Sequence, residues 1–403
     1  MLQRGGAKAG FSLYWNPMPS VNDIVSVAEA LEKSPVAVLR DRCVVVRNRN
    51  ATCRRCMKVC AANAIEISNN EVDLSVSLCN GCGACTAVCP TEALVPVASP
   101  DSQLVPQAVE AMRKNGNRAV VACARAASKR VANPELYAEV ACLPRLEESL
   151  LLTLVAQGAE EVVLVDGDCP TCKYRDCVSH VNTLVDSVNE LVAAHGAATR
   201  VARRTGFPDD MIAESTEGMF GTTRRGFFSE AVSAAKDTAM TAAQTTLAQE
   251  LGYTQKTPEI GERLRVTESG TLPLVPVARH EAAINALDAI GAPVVESIDS
   301  RLFGSVSIDV EKCNACGMCA VFCPTGALVR DSAGKVNEPL RYLEFSAADC
   351  VQCGLCADVC WKRALTLDTG VSTSELYDFE PVTFDLSRAK RQTNSLFGKT
   401  RSK

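Results

Sequence analysis

Residues 313–324 read Cys-Asn-Ala-Cys-Gly-Met-Cys-Ala-Val-Phe-Cys-Pro, placing Cys313, Cys316, Cys319 and Cys323 at C-x2-C-x2-C-x3-C spacing with Pro324 next. The run recurs as Cys350, Cys353, Cys356 and Cys360, and as Cys79, Cys82, Cys85 and Cys89 followed by Pro90. A fourth, altered copy is Cys43, Cys53, Cys56 and Cys60. This spacing is a [4Fe–4S] ligand run. A cubane needs four soft thiolates around a compact core, and two-residue gaps let one loop supply three of them. Small residues leave room for that wrap: Asn80-Gly81, Gly83-Ala84, Asn314-Ala315, Gly317-Met318 and Gly354. Zinc also uses C-x2-C pairs, but two pairs per site and no third cysteine two residues on. Sixteen of the 21 cysteines fall in these runs, which makes electron transfer the first hypothesis.

The other global features leave that reading open and close several others. A chain of 403 residues with 47% hydrophobic content can bury two or three cores. A net charge of −5 with mixed signs gives no footprint for nucleic acid or a membrane surface. No apolar run approaches the roughly 18 residues that span a bilayer, and Met1–Pro19 has no apolar signal-peptide core. Thr222–Phe228 (TTRRGFF) looks like a twin-arginine signal but sits mid-chain without an apolar segment after it; it reads as a helix start capped by Thr223. A cytoplasmic location is expected. There, thiols stay reduced, and dense cysteine means metal rather than disulfides.

Along the chain, residues 1–40 form an N-terminal segment with a helix expected at 21–33, and 41–100 hold the first cysteine module. Residues 104–205 alternate apolar runs (119–122, 138–141, 162–165) with helical patterns (105–114, 146–157, 178–194). That alternation predicts a central α/β domain with a parallel sheet. Residues 206–304 read as a helical connector, with a loop over 254–276 and a helix at 281–290; 305–370 hold the second module, and 371–403 a tail. From Arg388 on, the tail has six basic and no acidic residues; it reads as a solvated tail or a docking arm.

Five cysteines remain: Cys123, Cys142, Cys169, Cys172 and Cys177. Three follow candidate strands, and functional residues of parallel sheets gather at strand carboxyl ends. These cysteines could hold an additional cluster, [2Fe–2S] or similar. They could instead form a thioredoxin-like dithiol in Cys169-Pro170-Thr171-Cys172, or be small buried side chains. His180, His195 and His280 have no ligand spacing with a cysteine. In the altered run, the insert Val44–Thr52 (VVVRNRNAT) separates Cys43 from Cys53. Cys43 is a ligand or, alternatively, a buried strand cysteine that would leave a three-iron cluster. Ala61 and Trp361 replace the proline expected after Cys60 and Cys360, and Trp361 is expected to pack over a cluster.

On these residues, 41–100 and 305–368 resemble bacterial-type two-cluster ferredoxin domains, so the expected fold is two α+β ferredoxin-like modules flanking the α/β domain. In such domains the last cysteine of each run ligates the other cluster. The expected sets are then Cys43, Cys53, Cys56 with Cys89; Cys79, Cys82, Cys85 with Cys60; Cys313, Cys316, Cys319 with Cys360; and Cys350, Cys353, Cys356 with Cys323. Residues 117–195 resemble the delta subunit of methyl-viologen-reducing hydrogenases, through Cys123, Cys142 with Arg145, Gly158-Ala159, and Cys172 with Tyr174. That resemblance implies a [2Fe–2S] cluster and electron passage between a hydrogenase and a flavoprotein. The family's Gly-Cys-His group is absent: Gly167 holds its position and Cys169 lies two residues on.

The leading expectation is therefore a subunit with four [4Fe–4S] clusters, relaying electrons in an anaerobic complex. Its partners would be a flavoprotein of the heterodisulfide-reductase type, a hydrogenase or a formate dehydrogenase. The alternative is a stand-alone iron–sulfur reductase with a thiol or [2Fe–2S] site in the central domain. Against it, no G-x-G-x-x-G fingerprint follows a strand. A cluster-assembly scaffold is a third reading, although swapped ligands lock clusters in.

Overall fold

The computed structural model describes residues 34–97, 99–175, 178–213, 264–267, 270–330 and 340–389. The helix expected at 21–33, the 222–228 stretch, Cys177 and the chain beyond 389 lie outside them.

The central sheet forms where the sequence is most continuously apolar. Strands β5 (Arg118–Cys123), β6 (Ala138–Val140), β7 (Glu161–Asp166) and β8 (Arg200–Thr205) are all parallel and run in the order β6-β5-β7-β8. Ala119–Ala122 and Val162–Val165 are fully buried beneath helices packed on the sheet. These helices are α1 (Asp101–Lys114), α2 (Glu148–Ala156) and α3 (Val178–Ala194). Glu147 caps α2: its carboxylate accepts from the Ser149 N–H at 2.8 Å, the Ser149 hydroxyl at 2.8 Å and the Leu150 N–H at 3.1 Å. The order reverses between β5 and β7, which opens a crevice at their carboxyl ends.

Two elements here depart from the sequence reading. Strand β8 (RVARRT) was not expected, since Val201 is its one fully buried apolar residue. It is an edge strand, and its charges serve there: Arg203 pairs with Asp166 and Arg204 with Glu161. Helix α1 starts four residues earlier than 105 and runs through Pro106. Leu104 and Val105 are buried on its inner face while Pro106 is exposed, so apolar burial offsets the lost backbone bond.

The cysteine modules are built from short antiparallel pairs. In the first, β1 (Val36–Val38) pairs with β4 (Leu94–Pro96), and β2 (Ile65–Ser68) with β3 (Glu71–Leu74). In the second, β10 (Ser305–Ile308) pairs with β13 (Leu365–Asp368), and β11 (Leu328–Arg330) with β12 (Tyr342–Phe345). Residues 371–389, assigned to a tail, are folded. Strand β14 (Gly370–Ser372) pairs with β9 (Ser297–Asp299), Thr373–Tyr377 is helical, and β15 (Val382–Asp385) extends the β11-β12 sheet. Leu376 and Leu386 are buried in the core there.

Helix α4 (Ala278–Ile290), late in the connector, packs on α2 and buries Ala283, Ala286 and Leu287. At its start Arg279 joins the first module to the central domain. Its Nε donates to Asp101 at 2.8 Å, its Nη1 to the Thr86 carbonyl at 2.8 Å, and its N–H to Glu92 at 2.7 Å. The modules also touch each other directly: Leu355 and Val359 of the second lie in one apolar cluster with Val44, Val45, Cys43 and Cys56 of the first.

Candidate iron–sulfur sites

The backbone around the cysteines repeats more faithfully than the sequence does. In three runs, both residues that wrap the loop are left-handed: Gly81 and Gly83, Ala315 and Gly317, Gln352 and Gly354. Ala315 (φ 56°) and Gln352 (φ 51°) hold this conformation without being glycine, at a cost of about 1–2 kcal/mol each. Such strain persists where the surroundings over-determine it, often at a functional site. Three residues after the fourth cysteine the chain is left-handed in all four runs, at Asn63, Glu92, Gly326 and Arg363. The altered run lacks the first feature, because Arg54 (φ −138°) stands where the others have glycine.

These turns aim backbone amides at sulfur. Ala64 N–H donates to Cys60 Sγ (3.3 Å), Ala93 N–H to Cys89 (3.2 Å) and Ala364 N–H to Cys360 (3.3 Å). Gly81 N–H donates to Cys79 (3.4 Å), and Ala315 N–H to Cys313 (3.3 Å). Such donors favour the thiolate and any added negative charge. The threonine hydroxyls of Thr91 and Thr325 lie 4.0 and 3.9 Å from Cys89 and Cys323.

The thiols gather in sets. Burial pushes the Cys43 thiol up to about 11, and the charges of Cys89 and Cys53 add to it. Burial takes Cys56 to about 12, with Cys89, Cys43 and Cys53 as its neighbours. Cys79 is raised by burial and by Cys82 and Cys60. In the second module, burial raises Cys319 to about 12, helped by Cys316, Cys313 and Cys360, and Cys350 to about 12, helped by Cys323. Cys353 and Cys356 are likewise raised by burial and by Cys323 and Cys350. Buried thiols of this kind stay protonated at neutral pH unless a metal takes the proton's place. Among the described residues no three His, Cys, Asp or Glu side chains converge on a point where one ion could sit. Sets of four thiols, buried or half-buried apart from the exposed Cys316, with backbone amides on several of their sulfurs, fit a multi-atom iron–sulfur group.

The sets also neighbour one another. Cys85 feels Cys56 across the first module, and Cys356 feels Cys319 across the second. Between modules, the Thr52 N–H and hydroxyl donate to Asp358, and Arg55 donates to the Gln352 carbonyl at 2.7 Å.

In the central domain, Cys123 ends β5, Cys142 follows β6, and Cys169 and Cys172 follow β7. They line one cavity of about 330 Å³ with Arg125, Asp166, Arg203 and Tyr174. Cys142 is raised by burial, then by Cys82, Cys123, Cys172 and Cys169, so this set faces the first module. Burial opposes ionisation of Cys172, but the Tyr174 amide and Arg125 outweigh it and hold the thiol below its usual range. Tyr174 Oη donates to the Asn80 carbonyl (2.7 Å), and Arg145 packs under Gly83 while pairing with Asp101. The Arg145 and Tyr174 of the sequence motif thus join the central domain to the Cys79–Cys89 loop.

Trp361, expected to pack over a cluster, lies at the surface. It is 55% exposed, with Lys362 Nζ 4.0 Å from its ring centroid; its place after the last cysteine of the run turns it outward. The histidines are structural: His195 bonds Tyr377 Oη (2.5 Å) and the Leu191 carbonyl (2.7 Å), and His280 the Ala348 carbonyl (2.6 Å). Arg47, buried, and Arg279, partly buried, both lie outside any motif and carry no sequence signal of their own.

Comparison with known proteins agrees with the geometry. A 4Fe-4S dicluster domain model matches residues 312–364, and an LdpA Fe-S cluster-binding domain model matches residues 50–99. No curated protein and no solved structure matches the chain. The chain is an iron–sulfur protein. No helix among the described residues is long and apolar enough to cross a membrane.

Proposed function

We propose that the chain is an electron relay in which residues 41–100 and 305–370 act as two-cluster, ferredoxin-type modules with swapped ligands. Their four thiol sets would hold [4Fe–4S] clusters, which supply one-electron carriers. The observation that carries this is the unbroken succession of neighbouring sets. Cys123/Cys142/Cys169/Cys172 borders Cys60/Cys79/Cys82/Cys85 through Cys142 and Cys82. That set borders Cys43/Cys53/Cys56/Cys89, which meets Cys323/Cys350/Cys353/Cys356 at the module junction and, beyond it, Cys313/Cys316/Cys319/Cys360. The central set would hold a smaller cluster, of the [2Fe–2S] kind. Redox subunits of an anaerobic, cytoplasmic oxidoreductase complex, such as a flavoprotein, hydrogenase or formate dehydrogenase, would dock at the two ends.

The chain's own contribution is to exclude water, to fix the thiols and to present amides to sulfur. Anaerobic purification with iron and sulfide quantitation and EPR tests the reading. About sixteen irons per chain are expected from four cubanes, and about two more if the central set is loaded. Fewer than about eight would sink it.

A second reading rests on the cavity at the central set. It opens at the carboxyl ends of β5 and β7 and carries Arg125 and Arg203 beside four thiols, so a small anionic molecule could be reduced there. Turnover of a small molecule by the isolated chain would favour this reading over the relay.

A further inference from the structure

The insert Val44–Thr52, which makes the first cysteine run irregular, has a defined place in the fold. Val44–Arg47 is a single helical turn, and Val44 and Val45 pack in the apolar cluster that includes Leu355 and Val359 of the second module. The insert's last residue, Thr52, bonds Asp358 through both its N–H (2.7 Å) and its hydroxyl (3.0 and 3.1 Å). The nine residues between Cys43 and Cys53, in place of the usual two, therefore help build the junction between modules.

Arg47 sits inside that junction. It is 5% exposed. Its Nη2 donates to the Pro273 carbonyl at 2.8 Å and its Nη1 to the Asp41 carbonyl at 3.3 Å, while its buried Nε has no hydrogen-bond partner. Burial works against its charge; Cys323, Asp41 and Cys353 support it. A guanidinium forced into a dry junction with one N–H unsatisfied calls for an acceptor. Asp41 is one negative neighbour; the others are the thiols of the second module, Cys323 and Cys353, which carry negative charge once they hold a metal group.

We propose that Arg47 of the first module is a positioning residue for the cluster of the second module, supplying charge and a hydrogen-bond donor to the group held by Cys323, Cys350, Cys353 and Cys356. A cation placed there favours the reduced, more negative state of that group over its neighbour across the junction. It gives the junction a downhill direction, from the first module into the second. This inference rests on the relay reading above and adds to it a control point that lies outside the cysteine runs.

The test is a redox titration of the full-length, anaerobically prepared protein followed by EPR, with iron and sulfide measured on each sample. In Arg47→Gln, one cluster should need a more negative poise, its reduced-to-oxidised ratio at fixed potential falling about tenfold, which is about 59 mV for a one-electron couple. Arg47→Lys should restore most of the shift. Arg40→Gln, at an exposed arginine beside the first module paired with its Asp73 at 2.7 Å, should leave every cluster where it was. Wild-type iron content near sixteen with no change in Arg47→Gln would overturn the role of Arg47 and leave the relay reading intact, whereas iron below about eight in the wild type would remove the reading itself. If Arg47→Gln fails to load one cluster, loading and a wild-type potential in Arg47→Lys still support the charge. Failure of both variants to load would overturn the proposal, because the side chain would then serve junction packing alone.

Discussion

Thr52 and Asp358, 306 residues apart in sequence, are joined by a backbone N–H bond of 2.7 Å and a shared hydroxyl, and this contact bridges the two cysteine modules. The carboxylate is a charged acceptor, but the site is exposed, so its net worth is about 1–2 kcal/mol. In Asp358→Ala, exchange of the Thr52 amide hydrogen under anaerobic conditions should accelerate about tenfold. Asp358→Asn, which keeps one acceptor, should fall between. An unchanged exchange rate in Asp358→Ala would mean that Leu355 and Val359 alone hold the junction.

Gly83 and Gly354 occupy equivalent places in their runs and share a left-handed φ of 78° and 79°, yet their surroundings differ. A Cβ on Gly354 meets nothing within 4 Å, whereas one on Gly83 would come within 2.7 Å of Arg145 Cδ and 3.2 Å of its Cα. Gly354→Ala should therefore cost the backbone term alone, about 1–2 kcal/mol. Gly83→Ala adds overpacking of about 1–3 kcal/mol and presses on the contact between the Cys79–Cys89 loop and the central domain. Thermal unfolding of the two variants side by side checks this; equal losses would show that Arg145 moves aside freely.

The contrast between these two glycines marks what the sequence could disclose. The cysteine spacing, the small residues between cysteines and the apolar runs of β5 and β7 are local signals, and they led to the thiol sets and the parallel sheet. Strand β8 was illegible because an edge strand carries its meaning in partners, Asp166 and Glu161, that lie elsewhere in the chain. The start of α1 was hidden by Pro106, whose cost is overruled by burial of Leu104 and Val105. Arg47, Arg279 and Asp358 had no signature either, since each is an ordinary charged residue until the fold brings distant segments against it. Trp361 shows the converse: its chemistry suits a cluster lid, yet its side chain is exposed after the turn at Cys360.

His180 predicts a pH dependence. Burial, assisted by the charge of Arg301, depresses its pKa to about 4, and its Nε2 is buried without a partner. The folded chain therefore keeps this imidazole neutral while the unfolded chain protonates it near pH 6.5. Stability from this group is fully present above about pH 6.5 and is lost as the pH falls toward 4, about 2 kcal/mol of it between pH 7.5 and 5. Replacing His180 by Leu should flatten that part of the stability profile, measured as the difference in unfolding free energy between wild type and variant at the two pH values. A parallel decline in both proteins would assign the sensitivity to other groups.

Cys43 is the ligand that the altered spacing makes least obvious. It lies at the start of the insert, buried beside Cys89 and Cys53. The strand alternative does not describe it, since its backbone caps the helical turn Val44–Arg47 rather than pairing in a sheet. If it completes the Cys53/Cys56/Cys89 set, Cys43→Ala removes one of four thiolates without touching the other three. One cubane should then lose an iron, lowering the iron count by about one per chain and adding an EPR signal in the oxidised protein, as a three-iron cluster would. The Cys350/Cys353/Cys356/Cys323 set should titrate unchanged apart from a small electrostatic shift across the junction. Full iron content and no new signal in the variant would show that Cys43 only fills the core, and that the insert carries no ligand.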